Sequence, residues 1–359
     1  MEDSDIIDLT VETLDTIKTL LNETTYQGLG GEIQVHYSMT PDFLAWASVS
    51  SKPCEAPMHY VNLTYEMAVV LYRDVEEYYD YIESGVDNPK LDILFPEVDY
   101  PKSLSTQSSK EDCCKNMFIS ALTWVFYHEL GHLVQEHGEV RQNYGCSTGT
   151  DVIDCSVDST EPLEGKASAV SHVTEIAADF FATYCCLMAL SQHFKGVRFE
   201  EELRAFSAAL ALVLYRFHGT RPIEAVTKPI GTHPDPLVRL EQTQPLIVEL
   251  LSKLDLKKEL DSDLTRNDLV YLTGWASYSI GMFWLRKNHI TDIPDYYFIS
   301  GSLQRPGMLS YHRCLLDVWD EIKPEIDKIK RLDSDYSEFR FSDQYRETLL
   351  ELDKTETSN

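Results

Sequence analysis

The sequence predicts an α+β fold that is mostly helical, with a small β-sheet near the N-terminus. Long segments after residue 64 place apolar residues at helical spacing, which predicts helices over most of the chain. Residues 33–64 instead hold short apolar and alternating runs, which are typical of strands. The composition, with 43% hydrophobic and 25% charged residues, is that of a globular protein with a substantial core.

The first part of the chain combines one helix with three strands. Residues 5–22 have apolar positions at helical spacing and predict an amphipathic helix, and residues 28–31 form a glycine-rich turn. Residues 33–37 alternate between apolar and polar side chains, as a half-buried strand does. The apolar runs 43–49 and 60–64 add two further strands, which gives a small sheet.

Thr64 stands where it can cap the helix that follows this sheet. Gly85 and Pro89 end that helix, and residues 86–110 predict a long surface connection. One helical face carries its apolar stripe, namely Ala68, Leu71, Val75, Tyr78 and Ile82.

The next helix, predicted for residues 112–137, carries the motif HExxH at His128, Glu129 and His132. Residues four apart lie on one face of a helix, so the two histidines can offer imidazole nitrogens to one metal ion. Glu129 stands beside the first histidine, where its carboxylate can take a proton from metal-bound water. Zinc is the commonest metal for this spacing.

Ala121, Trp124 and Val125 continue the histidine face toward the N-terminus, so this face points into a core. A buried pair of imidazoles needs partners, and a metal supplies them. The alternative is a helix with two hydrogen-bonded histidines and no metal. A third ligand decides between the two interpretations, because catalytic zinc keeps three protein ligands and one open position.

The best third ligand is Glu175, which lies on the helix predicted for residues 167–193. Asp179 follows one turn later on the same face, where it can accept the free ring N–H of a ligand imidazole and fix its tautomer. The small residues Ala177 and Ala178 let this helix approach the HExxH helix closely.

His172 shares a face with Glu175 and is the second choice for the third ligand. His137 lies five residues after His132, off the ligand face, and is interpreted as a helix-end residue. The alternative for Glu175 and Asp179 alone is a solvated helix edge. The apolar residues around them favour burial, and buried carboxylates need a cation; these residues are Phe180, Phe181, Tyr184 and Cys185.

A third segment, residues 232–239, places His233 in a proline-containing turn and Arg239 on the helix that follows. A zinc hydrolase gains from a second donor to the developing oxyanion, besides the metal. His233 is a candidate for this role, with Arg239 positioning either His233 or a carboxylate. The alternative is a plain His-Pro turn.

The rest of the chain predicts further helices: residues 199–217, a helix after residue 236 that is interrupted near Pro245, a helix that opens with the capping pair Thr265 and Asp268, and a last helix that bends or breaks at Pro324. We therefore divide the chain into residues 1–256, which carry the motifs, and a helical C-terminal extension, residues 257–359. The polar insert 142–166 forms either a mobile rim over the site or an inert surface loop.

Charge and cysteine usage limit the partners and the compartment. The net charge is −28 and is spread along the chain, so nucleic acid and anionic membranes are poor partners. Residues 1–15 lack the features of a signal peptide and no run has the length of a membrane span, so we expect a cytoplasmic protein. The adjacent pairs Cys113–Cys114 and Cys185–Cys186 suit reduced thiols. A bridge from Cys146 to Cys155 is possible in one loop but not expected in this compartment.

Taken together, the motifs resemble those of gluzincin metallopeptidases: HExxH, then Glu175 and Asp179 as ExxxD, then the Thr-His-Pro turn with a later arginine. They resemble the HtpX and CAAX-protease group more distantly, and the Lit-type phage-exclusion peptidases of bacteria most closely. The Lit-type signature also has an Ala-x-x-Trp helix that runs into the zinc motif, here Ala121 to Trp124. In that signature an arginine follows the histidine by six residues, as Arg239 follows His233.

The resemblance implies a zincin-like core with Zn²⁺ held by His128, His132 and Glu175, and Glu129 as the general base. It implies a metalloendopeptidase that hydrolyses protein or peptide substrates by attack of zinc-bound water, and a role in phage defence. We further predict, independently of the resemblance, that a substrate chain pairs with an edge strand at residues 60–64. Two alternatives remain open at this stage, a catalytically silent zinc-fold binding protein and a zinc hydrolase of a non-peptide amide.

Overall fold

A computed structural model of the chain confirms the α+β, mostly helical fold, and describes residues 1–95, 108–146, 152–154, 163–221, 226–291, 305, 307–332 and 338–356. The sheet consists of β1 (Glu32–Ser38), β2 (Ala45–Val49), β3 (Met58–Thr64) and β4 (Val152–Asp154). The helices are α1 (Asp3–Leu21, continued by a π-helical turn, Asn22–Tyr26), α2 (Gln27–Leu29), α3 (Tyr65–Ser84), α4 (Asn88–Leu94), α5 (Lys110–Val134), α6 (His137–Asn143), α7 (Gly165–His193), α8 (Gly196–His218), α9 (Pro236–Leu251), α10 (Leu256–Leu260), α11 (Arg266–Lys287), α12 (Met308–Ile329) and α13 (Asp343–Glu356).

The strand order in the sheet is β1-β3-β2-β4. β3 lies inside the sheet, parallel to β1 and antiparallel to β2, so that Val61 faces Val35 on one side and Ala47 on the other. The interpretation of residues 60–64 as a substrate-binding edge strand is therefore wrong, because both edges of this strand are already hydrogen-bonded. β4 belongs to the segment 142–166, where no strand was predicted, and pairs with β2.

The inner face of the sheet packs on α5, and its connection to α3 is fixed by a cap. Ile33, Ala47 and Val61 are fully buried on this face. Thr64 ends β3 and accepts a hydrogen bond from the backbone N–H of Met67 at 3.2 Å, which confirms the predicted cap. The sheet therefore supports the helix that carries the HExxH motif.

α5 and α7 approach each other closely because small residues line their contact. A Cβ atom on Gly131 would lie only 3.2 Å from the Cα atom of Ala178. Ala177 and Ala178 are fully buried, in agreement with the predicted close approach of the two helices. This contact sets the distance between the histidines of α5 and the carboxylates of α7.

Several helix boundaries differ from the predictions. α5 ends at Val134, three residues before the predicted end, and Glu136 adopts a left-handed conformation with φ of 52°. α9 continues through Pro245 and α12 continues through Pro324, although each proline removes one backbone hydrogen bond. Packing of both helices on the core outweighs that loss.

The C-terminal helices pack directly on those that carry the motifs: α11 against α8 and α9, and α12 against α7. Tyr311 and Trp319 of α12 are buried in this contact. The capping pair Thr265 and Asp268 opens α11 as predicted, with reciprocal hydrogen bonds between side chains and backbone. The boundary at residue 256 stays a prediction.

Within the described residues, one helix, α7, is long and apolar enough to cross a membrane, but 72% of its most apolar window is buried inside the protein, as in a core helix. The cysteines of the pairs Cys113–Cys114 and Cys185–Cys186 are free thiols, as predicted. Cys146 is also free, and Cys155 lies outside the described residues.

Candidate metal centre

Two imidazoles and one carboxylate converge between α5 and α7. His128, His132 and Glu175 are buried, and one candidate ligand atom from each lies within 4.8 Å of the others. The two Nε2 atoms are 3.2 Å apart. Glu175 Oε2 lies 3.3 Å from Nε2 of His128, and Glu175 Oε1 lies 3.1 Å from Nε2 of His132. The structure thus brings together the three residues that the sequence predicted as ligands.

His128 is held from its far side by Asp179. The Nδ1 atom of His128 lies 2.9 Å from Oδ1 of Asp179. Arg239 donates two hydrogen bonds to the same carboxylate, at 2.8 and 2.6 Å, so the predicted arginine positions a carboxylate. Trp124 stacks on the imidazole, with ring centroids 5.6 Å apart.

His132 is held by a residue that sequence reasoning set aside. Its Nδ1 atom lies 3.0 Å from Nδ1 of His137, which is fully buried at the start of α6. The sequence predicted His137 at the end of one continuous helix, off the ligand face; it lies instead at the start of α6, outside the three converging donors, and contacts His132. The left-handed Glu136 turns the chain back, which places His137 against His132.

Arg141 was not singled out by sequence reasoning, yet it contacts the third ligand. Its guanidinium donates to Glu175 Oε1 at 2.7 Å, to Thr174 Oγ1 at 2.8 Å and to the carbonyl of Ser171 at 3.2 Å. Arg141 is buried and lies one helical turn after His137. That spacing was the available signal, and it becomes visible only when α6 is recognised as a separate helix.

His233 reaches the edge of the centre. Its Nε2 atom lies 3.5 Å from Glu175 Oε1, and its side chain is 13% exposed. Its Nδ1 atom lies 2.9 Å from the hydroxyl of Thr232.

His172, the second choice as a ligand, does not join the three donors. Its Nδ1 atom lies 3.0 Å from the hydroxyl of Tyr311, and its Nε2 atom lies 3.2 Å from the carbonyl of Ile230. Both ring nitrogens therefore have partners away from the centre.

The pKa values of the two histidines of the motif shift in opposite directions. Burial and the charge of Arg239 lower the pKa of His128, but Asp179 and Glu175 outweigh them and raise it to about 9. Burial lowers the pKa of His132 to about 3. Burial raises the pKa of Glu175, but His233, His132 and His128 together hold it well below its usual value, so the carboxyl group is ionised.

The residues fit a metal ion. Glu175 Oε2 and His233 Nε2 are buried and have no hydrogen-bond partner among the described residues. A buried carboxylate oxygen beside two imidazole nitrogens is the kind of donor set that divalent zinc and its neighbours in the transition series take. His128, His132 and Glu175 can therefore hold a metal, with Asp179 and His137 on their outer nitrogens.

Comparison with known proteins agrees with this chemistry. The family model of Peptidase U49 matches residues 50–248, more than half of the chain, and this region contains every residue of the centre described above. No curated protein and no solved structure matches the chain. The matched length shows that the chain belongs to the Peptidase U49 family, the metallopeptidase family of the Lit protease.

Proposed function

We propose that this protein is a zinc-dependent metalloendopeptidase of the gluzincin type, which hydrolyses peptide bonds of a protein substrate. The convergence of His128, His132 and Glu175 inside the region matched to a peptidase family carries the proposal. The three side chains would hold Zn²⁺ through two nitrogens and a carboxylate oxygen. When bound, zinc supplies a Lewis acid that activates water and polarises the scissile carbonyl.

Glu129 is the proposed general base. It is fully buried and directly follows His128 in α5, as the general base of an HExxH site does. The carboxylate takes a proton from the attacking water, the water oxygen bonds to the carbonyl carbon, and the C–N bond breaks. The proton then passes from Glu129 to the leaving amine nitrogen, which leaves a carboxyl product and an amine product.

His233 is the proposed donor to the developing oxyanion. Its position at the partly exposed edge of the centre suits contact with a substrate. If the Thr232 hydroxyl donates to Nδ1, the neutral ring carries its proton on Nε2 and presents an N–H toward the site. Burial lowers the pKa of His233 to about 4, which keeps the ring neutral near pH 7.

The proposed setting is the bacterial cytoplasm, in phage exclusion. Membership in the family of the Lit protease and the three motifs that resemble the Lit-type signature support this part of the proposal.

The decisive experiment compares wild type with Glu129→Gln. We expect both proteins to bind zinc, measured by plasma mass spectrometry, because Glu129 is not a proposed ligand. Cleavage, measured as new protein N-termini after expression in bacteria, should fall by about 10²- to 10⁴-fold in the variant.

The matched control is Glu111→Gln, which changes an exposed carboxylate on the same helix and should leave cleavage unchanged. Absence of zinc from the wild type would overturn the metal centre. Equal cleavage by wild type and Glu129→Gln would overturn the role of Glu129.

A further inference from the structure

α6 places two side chains on one face toward the candidate metal centre. His137 and Arg141 are four residues apart, so they lie one above the other on this short helix. Arg141 binds Glu175, Thr174 and the carbonyl of Ser171, all on α7. These three contacts fix the position of α6 against α7, and they fix His137 with it.

The junction between α5 and α6 is held from the C-terminal part of the chain. The backbone N–H of Arg331 donates to the carbonyl of Val134 at 2.8 Å. The Arg331 guanidinium binds the carboxylate of Glu136 and donates to the carbonyls of Glu55 and Lys52 at 2.6 and 2.8 Å. A left-handed residue other than glycine is uncommon and costs free energy, so these contacts stabilise the turn that aims His137.

One proton lies between His132 and His137, and the metal role of His132 decides which ring carries it. The two Nδ1 atoms are 3.0 Å apart, so one must donate and the other accept. A neutral imidazole that binds metal through Nε2 carries its proton on Nδ1. His132 must then donate, and His137 must accept with its own proton on Nε2.

We infer that His137 is a positioning residue that holds His132 in the tautomer and orientation required for metal binding. This inference rests on the proposed metal centre. His137 is not a fourth ligand, because it contacts the ring nitrogen of His132 on the opposite side from the three converging donors. Partners of this kind on metal-bound histidines contribute to metal affinity although they never touch the metal.

The test compares His137→Asn with His137→Leu. The two side chains branch at the same atom and have similar shape, but the Asn oxygen can take the place of Nδ1 as the acceptor and Leu has none. Zinc affinity is measured by chelator competition, and the stability of the zinc-free protein by urea unfolding. We expect His137→Leu to bind zinc about 10- to 100-fold more weakly than wild type, and His137→Asn to recover most of that loss.

His312→Leu is the matched control. His312 is also buried, has one hydrogen bond at Nδ1, to Gln242 at 3.2 Å, and has an Nε2 atom without a partner among the described residues. This variant should lose stability as His137→Leu does, yet keep the wild-type zinc affinity. In long-range ¹H–¹⁵N spectra of the zinc-loaded protein, the Nδ1 proton of His132 should be protected in wild type and His137→Asn, and exchange rapidly in His137→Leu.

Equal zinc affinity of wild type and His137→Leu would overturn the inference. Equal weakening by the Leu and Asn variants would also overturn it, since the contact would then be only packing. A wild-type protein that binds no zinc would instead overturn the proposed metal centre itself.

Discussion

The two histidines of the motif lie one turn apart on the same helix, yet the protein holds them in different ways. His128 faces Asp179, a carboxylate that Arg239 of α9 holds in place. His132 faces His137, an imidazole supplied by the short helix that follows the motif. His128 is thus held by a carboxylate that another helix supplies, and His132 by a neutral ring from the next helix.

The two candidate ligands therefore differ in the charge of the partner on their outer nitrogen. A carboxylate partner makes a metal-bound imidazole a stronger base, whereas a neutral acceptor chiefly fixes its orientation. Burial lowers the pKa of His137 well below its usual value, so this partner stays uncharged. We therefore expect the contact of Asp179 with His128 to contribute more to zinc affinity than the contact of His137 with His132.

The largest loss of bound zinc is expected when one of the candidate ligands is replaced. His128→Ala and His132→Ala should each leave almost no zinc on the purified protein, because two donors cannot complete a three-ligand site. Plasma mass spectrometry measures the loss. His193→Ala, which removes an exposed histidine at the end of α7, should retain zinc. Full zinc content in either ligand variant would mean that the metal lies elsewhere.

Asp179→Asn removes the negative charge beside His128 and should have the next largest effect on zinc affinity. The amide still accepts a hydrogen bond, but the buried guanidinium of Arg239 loses the carboxylate that it contacts with two hydrogen bonds, while Glu175 remains at 3.5 Å. We expect zinc affinity to fall further than in His137→Leu, toward the upper end of a roughly 10- to 100-fold range, and the free energy of unfolding to fall by about 3 kcal/mol or more. Chelator competition and urea unfolding measure the two effects. A smaller loss of affinity than in His137→Leu would reverse the proposed ranking.

Arg331→Ala weakens the turn that places His137 against His132 and should have the smallest effect on zinc affinity. It removes the guanidinium contacts with Glu136, Glu55 and Lys52 but keeps the backbone hydrogen bond to Val134 and His137 itself. The free energy of unfolding should fall by about 1–3 kcal/mol, since the buried carboxylate of Glu136 loses its ion pair with Arg331. Zinc affinity should fall less than in His137→Leu.

Arg266→Ala provides the control for Arg331→Ala. It removes an arginine whose ion pair with Glu249 is exposed to solvent, and exposed pairs contribute little to stability. An Arg331 variant with the stability and zinc affinity of this control would show that the junction does not depend on Arg331.

Local patterns in the sequence were sufficient to predict the helix of the motif and the three side chains that converge between α5 and α7. The spacing of His128 and His132, the pairing of Glu175 with Asp179, and the small residues around them all lie within single helices, where period and chemistry are visible in the sequence. The fold class was predictable for the same reason.

Features that depend on long-range pairing were not predictable. β3 lies inside the sheet because β1 pairs with it directly and in parallel, although β2 comes between them in the sequence, and no local pattern encodes this pairing. The contacts of His137 with His132 and of Arg141 with Glu175 were not predicted, because a single left-handed residue, Glu136, starts a new helix and redirects the chain. Without that turn, the sequence spacing aims both side chains away from the ligands.

The contacts of Tyr311 with His172 and of Arg331 with Glu136 reach back from beyond residue 248, where the family match ends. The candidate ligands therefore belong to the part of the chain that the family shares, while residues that pack around them come from a part outside it. For this protein, a fragment that ends at residue 248 would keep the three donor side chains and lose contacts that hold their surroundings in place.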